Sequence, residues 1–119
     1  MTRAASDSPP ERRPYPSLPA RRDFRRVLDF GRRRKRGPVT VAVAAGATEE
    51  TRVGLVAGRG VGNAVRRNRA RRRVRAALTE VDLPMRTDVV VIISAGALTL
   101  PYRQLVADLR GACPEKDRV

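Results

Sequence analysis

Between Arg59 and Arg75 the chain carries eight arginines and no acidic residue. No other segment constrains the fold as tightly. Wound as a helix at about 100° per residue, it puts Ala70, Val74, Ala77, Leu78 and Val81 on one side. Asn68, Arg69, Arg72 and Arg75 fall on the opposite side, flanked by Arg66, Arg71 and Arg73. One face must therefore be buried, and the other needs a counter-charge from outside. Solvated helices interleave Glu with Arg, because opposite charges four residues apart stabilise a helix and like charges destabilise it. Here Arg67 and Arg71, Arg69 and Arg73, and Arg71 and Arg75 are all like pairs. The helix repels itself until an anion arrives. Asn68 sits among these cations without adding charge. Its amide both donates and accepts, which suits a base edge, a 2′-hydroxyl or simply the orientation of its neighbours.

The whole chain has the same sign. Its 119 residues, enough for one compact domain, hold 26 Lys and Arg against 12 Asp and Glu, a formal net charge of +14. A polyanion relieves such a surplus through counterion release, so nucleic acid is the expected partner class. The cations are almost all arginine, with lysine only at Lys35 and Lys116. Guanidinium binds phosphate bidentately and stacks on bases. There is no histidine and a single cysteine, Cys113. That composition allows no disulfide within the chain and argues against a zinc site. The longest apolar run, Val89 to Ile93, is far too short to cross a bilayer, and the N-terminus lacks the apolar stretch of a signal peptide. The reading is a cytoplasmic protein without a membrane partner or a small-molecule ligand.

Residues 1–16 contain Pro9, Pro10, Pro14 and Pro16 amid charge and read as a disordered arm; 112–119 read as a flexible tail. The folded domain is expected over 17–111. A first helix is predicted from Ser17 to Pro19 onward, with Ser17 as cap, Ala20, Phe24, Val27 and Leu28 at helical spacing, and Gly31 as the stop. The dense basic run Arg32-Arg33-Arg34-Lys35-Arg36 follows, ended by Gly37-Pro38. Val39 to Ala44 and Arg52 to Ala57 read as strands joined by a turn at Gly46 to Glu50, a hairpin. Asn63 caps the arginine helix, which runs to about Val81. Asp88 to Ala95 is a third strand, and its continuous apolar middle implies burial on both faces. Thr99 and Pro101 begin a last helix with Tyr102, Leu105, Val106 and Leu109 on one side, ended by Gly111. The predicted order is α-β-β-α-β-α, a small α/β sandwich.

Nothing here reads as catalytic. Asp23, Asp29, Glu80 and Asp82 are scattered without a metal-binding pattern, and Asp23 and Glu80 suit arginine partners better than chemistry. Gly58, Gly60 and Gly62 lack both the dinucleotide spacing and a following Gly-Lys-Ser/Thr, and read as a turn where a phosphate could still dock.

The segment Val61-Gly62-Asn63-Ala64-Val65-Arg66-Arg67-Asn68-Arg69-Ala70-Arg71-Arg72-Arg73-Val74-Arg75 resembles the signature of the bacterial ribonuclease P protein component. Arg67, Asn68, Arg69, Arg72 and Arg75 match it directly, and Arg71 stands where the family usually has Lys. Leu18, Asp23-Phe24, Val27 and Gly31 resemble its first helix, Arg52 to Val56 its second strand, and Asp88 to Ile92 with Tyr102 to Leu109 its end. The resemblance implies a central sheet with a left-handed βαβ crossover, against the general rule. It implies that Arg59, Arg66, Arg67, Asn68, Arg69, Arg71, Arg72, Arg73 and Arg75 contact the catalytic RNA. It implies a second surface, a cleft between sheet and first helix, for the single-stranded 5′ leader of precursor tRNA. Phe24, Leu28, Val39, Arg32, Arg33 and Arg34 are its expected lining. Leu28 and Val39 occupy places often aromatic in the family, and Gly58-Arg59-Gly60 replaces its usual Ser-Lys-Lys. Partners so implied are the ribonuclease P RNA, in a 1:1 ribonucleoprotein, and precursor tRNA. Mg²⁺ would act at the RNA, where the chemistry would reside. Size and charge alone also allow a ribosomal or RNA-chaperone protein. A DNA-binding protein fits less well, since no short turn joins two helices.

Overall fold

The structure, a computed structural model, describes residues 15–114. Three helices, α1 (Arg21–Phe30), α2 (Ala64–Leu78) and α3 (Tyr102–Ala112), pack on a four-stranded sheet of β1 (Arg32–Arg36), β2 (Val39–Ala45), β3 (Arg52–Ala57) and β4 (Thr87–Ile93). The strand order is β1-β2-β4-β3. The α/β class expected from the sequence holds, with one strand more than predicted.

That strand is the basic run. Arg32 to Arg36 pairs antiparallel with β2, Arg32 opposite Val43 and Arg36 opposite Val39. The tight turn between them needs Gly37, whose φ of +53° is left-handed and whose Cβ position is taken by an Asp108 carboxylate oxygen. The predicted hairpin of β2 with β3 does not form. Both strands pair instead with β4, β2 antiparallel and β3 parallel. The reason lies in β4: Val89, Val90 and Val91 are each fully buried, so the strand must be central and must have a neighbour on both sides. The loop after β2 passes the entry to β4, where Gly46 N–H donates to Arg86 O (2.8 Å) and Arg86 N–H to Glu49 O (3.1 Å).

The sheet has two unequal cores. Val39, Val41, Val53, Val89, Val91 and Ile93 face α2 and α3, meeting Ala70, Val74, Ala77, Leu78, Leu105, Val106 and Leu109. The face predicted for the arginine helix is therefore the buried one. The other core is small: Leu18, Val27, Ala42 and Val90, with Phe24, Leu28, Ala44, Val56 and Ile92 packed against it. It lies under α1.

Several boundaries shift. α1 starts at Arg21 after Ala20, without a side-chain cap, so Ser17 does not cap it; Ser17 instead forms a parallel bridge with Val53. Gly31 ends α1 in an extended conformation, not a left-handed one. Tyr15 and Pro16, assigned to the arm from sequence, are tied to the fold. Tyr15 hydroxyl donates to Val81 O (2.6 Å) and accepts from Leu83 N–H (3.1 Å), and Pro16 O accepts from Val53 N–H (2.8 Å). At the other end α3 runs through Gly111, and Ala112 and Cys113 are buried, not part of a loose tail. Burial pushes the Cys113 thiol up to about 12, which leaves it unreactive. Residues 1–14 and 115–119 lie outside the described residues.

Candidate nucleic-acid interface

α2 is built to present one face. Asn63 caps it as expected, Oδ1 accepting from Arg66 N–H at 3.0 Å. Ala70, Val74, Ala77 and Leu78 go into the core, while Asn68, Arg69, Arg72 and Arg75 are exposed. Arg67 is half-buried and Arg66 exposed. Not all the arginines point outward. Arg66 Nε donates to Val61 O (3.1 Å) and Arg73 Nη1 to Ala97 O (2.6 Å), which tie α2 to the turns beside it. Asn68 Oδ1 accepts from Arg71 Nη2 (2.5 Å), so the amide orients a guanidinium and keeps its own N–H donors outward. Among the described residues, no arginine of α2 forms an ion pair. The cationic face is left uncompensated, as its missing carboxylates predicted. Arg59 lies exposed in a 3₁₀ turn, Arg59–Val61, leading into α2. Beside it, Gly58, Gly60, Ser94 and Gly96 line a cleft of about 450 Å³ between the loops that follow β3 and β4.

The second expected surface is less uniform. The Phe24 ring packs onto Gly54 of β3 where a Cβ would otherwise stand, so only glycine admits it. Leu28 is half-buried beside it. Thr40, Val56 and Ile92 are half-buried on the same face and mark where α1 leaves the sheet partly open. Val39 is not there. It is fully buried on the opposite face, against α3, because side chains alternate along a strand; Thr40 and Ala42 hold the β2 positions facing α1. The basic run divides in the same way. Arg33 stands opposite Ala42 and donates to Leu28 O (2.9 Å), so it belongs to the α1 face with Lys35. Arg32 and Arg34 stand opposite Val43 and Val41, on the α3 side.

Sequence reasoning missed what fixes α1. Asp88, at the head of β4, has no exposed surface. Its carboxylate accepts from Arg52 Nε (3.1 Å) and Nη2 (2.9 Å) and from Arg26 Nη2. Arg52 also reaches Asp23 (3.6 Å), and Arg26 Nη1 donates to Ala45 O (3.0 Å). Burial pushes the Asp88 carboxyl up, but the Arg52 and Arg26 hydrogen bonds outweigh it and the net shift is downward. The signal was readable: an acid opening a doubly buried strand requires a cation, and Arg52 opens the strand beside it. Glu80 pairs with Arg103 (2.9 Å) and accepts from Tyr102 hydroxyl (2.9 Å), and the tyrosine bond, then Arg103, holds its carboxyl low. Asp23 and Glu80 are thus arginine partners, as expected.

A cationic helix beside a βαβ sheet suits several RNA-binding roles, and comparison with known proteins decides among them. The family model for ribonuclease P matches residues 15–116. The chain belongs to the ribonuclease P protein family. It is 42% identical over 98 residues to the ribonuclease P protein component of Chloroflexus aggregans, covering 76% of this chain and 72% of that one. With the component of Kocuria rhizophila it shares 37% over 103 residues, 80% of this chain and 91% of the other. The ribonuclease P protein of Thermotoga maritima superposes with a TM-score of 0.70 at 25% identity, over 80% of this chain and 92% of that one. The Staphylococcus aureus ribonuclease P protein, at 21% identity, shares the fold with a TM-score of 0.69 over 81% and 90%. Ribonuclease P is an RNA-based endoribonuclease, so RNA binding and tRNA 5′ processing follow from membership. A ribosomal or DNA-binding assignment gives way. No helix among the described residues is long and apolar enough to cross a membrane.

Proposed function

We propose that α2 docks this protein on the ribonuclease P RNA in a 1:1 complex, and that the α1 face of the sheet receives the 5′ leader of precursor tRNA. One observation carries the first part. The guanidinium groups of Arg67, Arg69, Arg72 and Arg75 have no hydrogen-bond or ion-pair partner among the described residues, on a helix whose other side is core. A row of unpaired guanidinium groups on a rigid element is what a folded phosphate backbone requires. The leader reading is supported by Phe24, Thr40, Val56 and Ile92 around a partly open face with Arg33 and Lys35 at its edge. With one ring available, leader affinity rests mainly on charge.

Mg²⁺ in this reading belongs to the RNA. The carboxylates of Asp23, Asp88 and Glu80 are taken up by arginines, a donor set that does not suit a hard cation. The protein screens phosphate repulsion, raises substrate affinity and helps the RNA fold, in the cytoplasm where precursors are processed. Reconstitution tests this. Protein alone should cleave nothing, and protein with its cognate RNA should process precursor tRNA at low Mg²⁺. Equal processing by the RNA alone at that Mg²⁺ would end the proposal.

A further inference from the structure

The edge strand β1 is five consecutive cations, all exposed, and its pairing with β2 sorts them into two rows. Arg33 and Lys35 share the α1 face. Arg32, Arg34 and Arg36 stand opposite Val43, Val41 and Val39 and share the α3 face. Two grooves flank this second row. One, about 290 Å³, is lined by Arg32, Arg33, Arg34, Val41, Val43, Ala112 and Pro114. The other, about 560 Å³, is lined by Phe30, Arg32, Val43, Ala45 and Thr87 and, from the α1 side, by Arg26 and Ala44. They meet at Arg32 and Val43 and form one trough, which follows the strand and turns toward α1 at its Phe30 end. At its end stands Phe30, 83% exposed. The ring leaves α1 by another side than Phe24 and takes no part in either core.

We infer that this trough is a second RNA track, its arginine row on the opposite side of the sheet from the leader, and that its occupant is an unpaired strand of the RNA subunit. The inference rests on the reading of the chain as that RNA's partner. Charge is the first argument. Arg32, Arg34 and Arg36 form no ion pair among the described residues; Arg34 reaches only Gly111 O, at 3.5 Å. The nearby carboxylate, Asp108, is turned to Gly37 and accepts from Gln104. Spacing is the second. Alternate residues of a strand are about 6.6–6.8 Å apart, comparable with successive phosphates of an extended RNA strand. The third is the exposed ring beside the first arginine, which gives a base a stacking surface. The apolar floor of valine and alanine offers no competing hydrogen bonds. Since the Arg33 and Lys35 row already borders the leader face, β1 becomes a cationic partition between two RNA strands.

The test compares the two rows in the full chain. Binding of the isolated RNA subunit is measured against salt for R32Q/R34Q/R36Q, for K35Q and for R69A/R72A. Each lost single-strand phosphate contact removes about 0.7 from the log–log salt slope, so the α3-side triple should flatten it by roughly 2. K35Q, on the α1 face and outside both grooves, should leave it unchanged. Phe30→Ala should weaken RNA-subunit binding roughly 5- to 150-fold, with an unchanged melting temperature because the ring is exposed. A benzophenone amino acid placed at position 30 should cross-link to the RNA subunit. A cross-link to the leader instead, or none, overturns the inference. So does an unaltered slope in the triple while R69A/R72A lowers it; that result leaves the α2 reading standing. If neither set alters the slope, both readings fall.

Discussion

The outward face of α2 makes an unusual demand on a double substitution: Arg69→Ala with Arg72→Ala should weaken RNA binding and strengthen the fold. Arg69 and Arg72 are exposed and bonded to nothing among the described residues, so no native contact is lost. The change also relieves like-charge neighbours at three- and four-residue spacing: Arg66 with Arg69, Arg69 with Arg72, Arg69 with Arg73, and Arg72 with Arg75. Each such pair costs about 0.2–0.5 kcal/mol at low salt, and alanine is the best helix former. The expected gain is about 1 kcal/mol, or roughly 4–8 °C in melting temperature. Binding goes the other way. Two lost phosphate contacts flatten the salt slope by about 1.4–1.8. Between 50 and 200 mM salt the wild type should then lose roughly 7- to 12-fold more affinity than the variant. Thermal melts at low salt and filter binding across that range measure both quantities. A lower melting temperature with an unchanged salt slope would refute the argument, because it would mean these guanidinium groups serve the fold and not the RNA.

Asp88→Ala leaves Arg26 and Arg52 facing an empty site and should cost about 3–5 kcal/mol, with a matching fall in melting temperature. Because the folded Asp88 carboxyl is held below its unfolded value, near 3.9, its contribution is complete above that pH and is lost as pH falls through the lower folded value. Acid titration of stability should therefore be shallower in Asp88→Asn. Val39→Thr puts a hydroxyl into the α3-side core and should lower stability by about 1–3 kcal/mol without changing discrimination between precursor and mature tRNA. Substitution of Thr40 should do the reverse. Gly54→Ala drives a methyl into the Phe24 ring, so it should reduce stability and precursor preference together, as judged by melts and competition binding. Phe24→Ala should weaken precursor binding more than mature tRNA binding, by about 1–3 kcal/mol if the ring stacks on a leader base.

The arginine helix was legible because its information is local. A 3.6-residue period, an Asn cap and the missing carboxylates together specify which side is buried and which is left charged, and α2 follows that pattern from Asn63 to Leu78. The apolar run in β4 likewise announced a strand buried on both faces. What stayed hidden depended on partners distant in sequence. Arg32 to Arg36 has no alternation to read, since every side chain is charged, and becomes a strand only because β2 offers an edge for it. The proximity of β2 and β3 in the chain suggested a hairpin, yet a central β4 satisfies more apolar surface by taking one on each side. Whether Val39 or Thr40 faces α1 turns on a single residue of register, which only the paired sheet decides. The sequence by itself determined that this chain is a cation-rich binder with one uncompensated helical face, because charge and period are properties of neighbours. The tertiary structure decided how the exposed cations are sorted into rows and where α1 sits. Those depend on ladder hydrogen bonds and on a buried carboxylate that draws two arginines from separate elements.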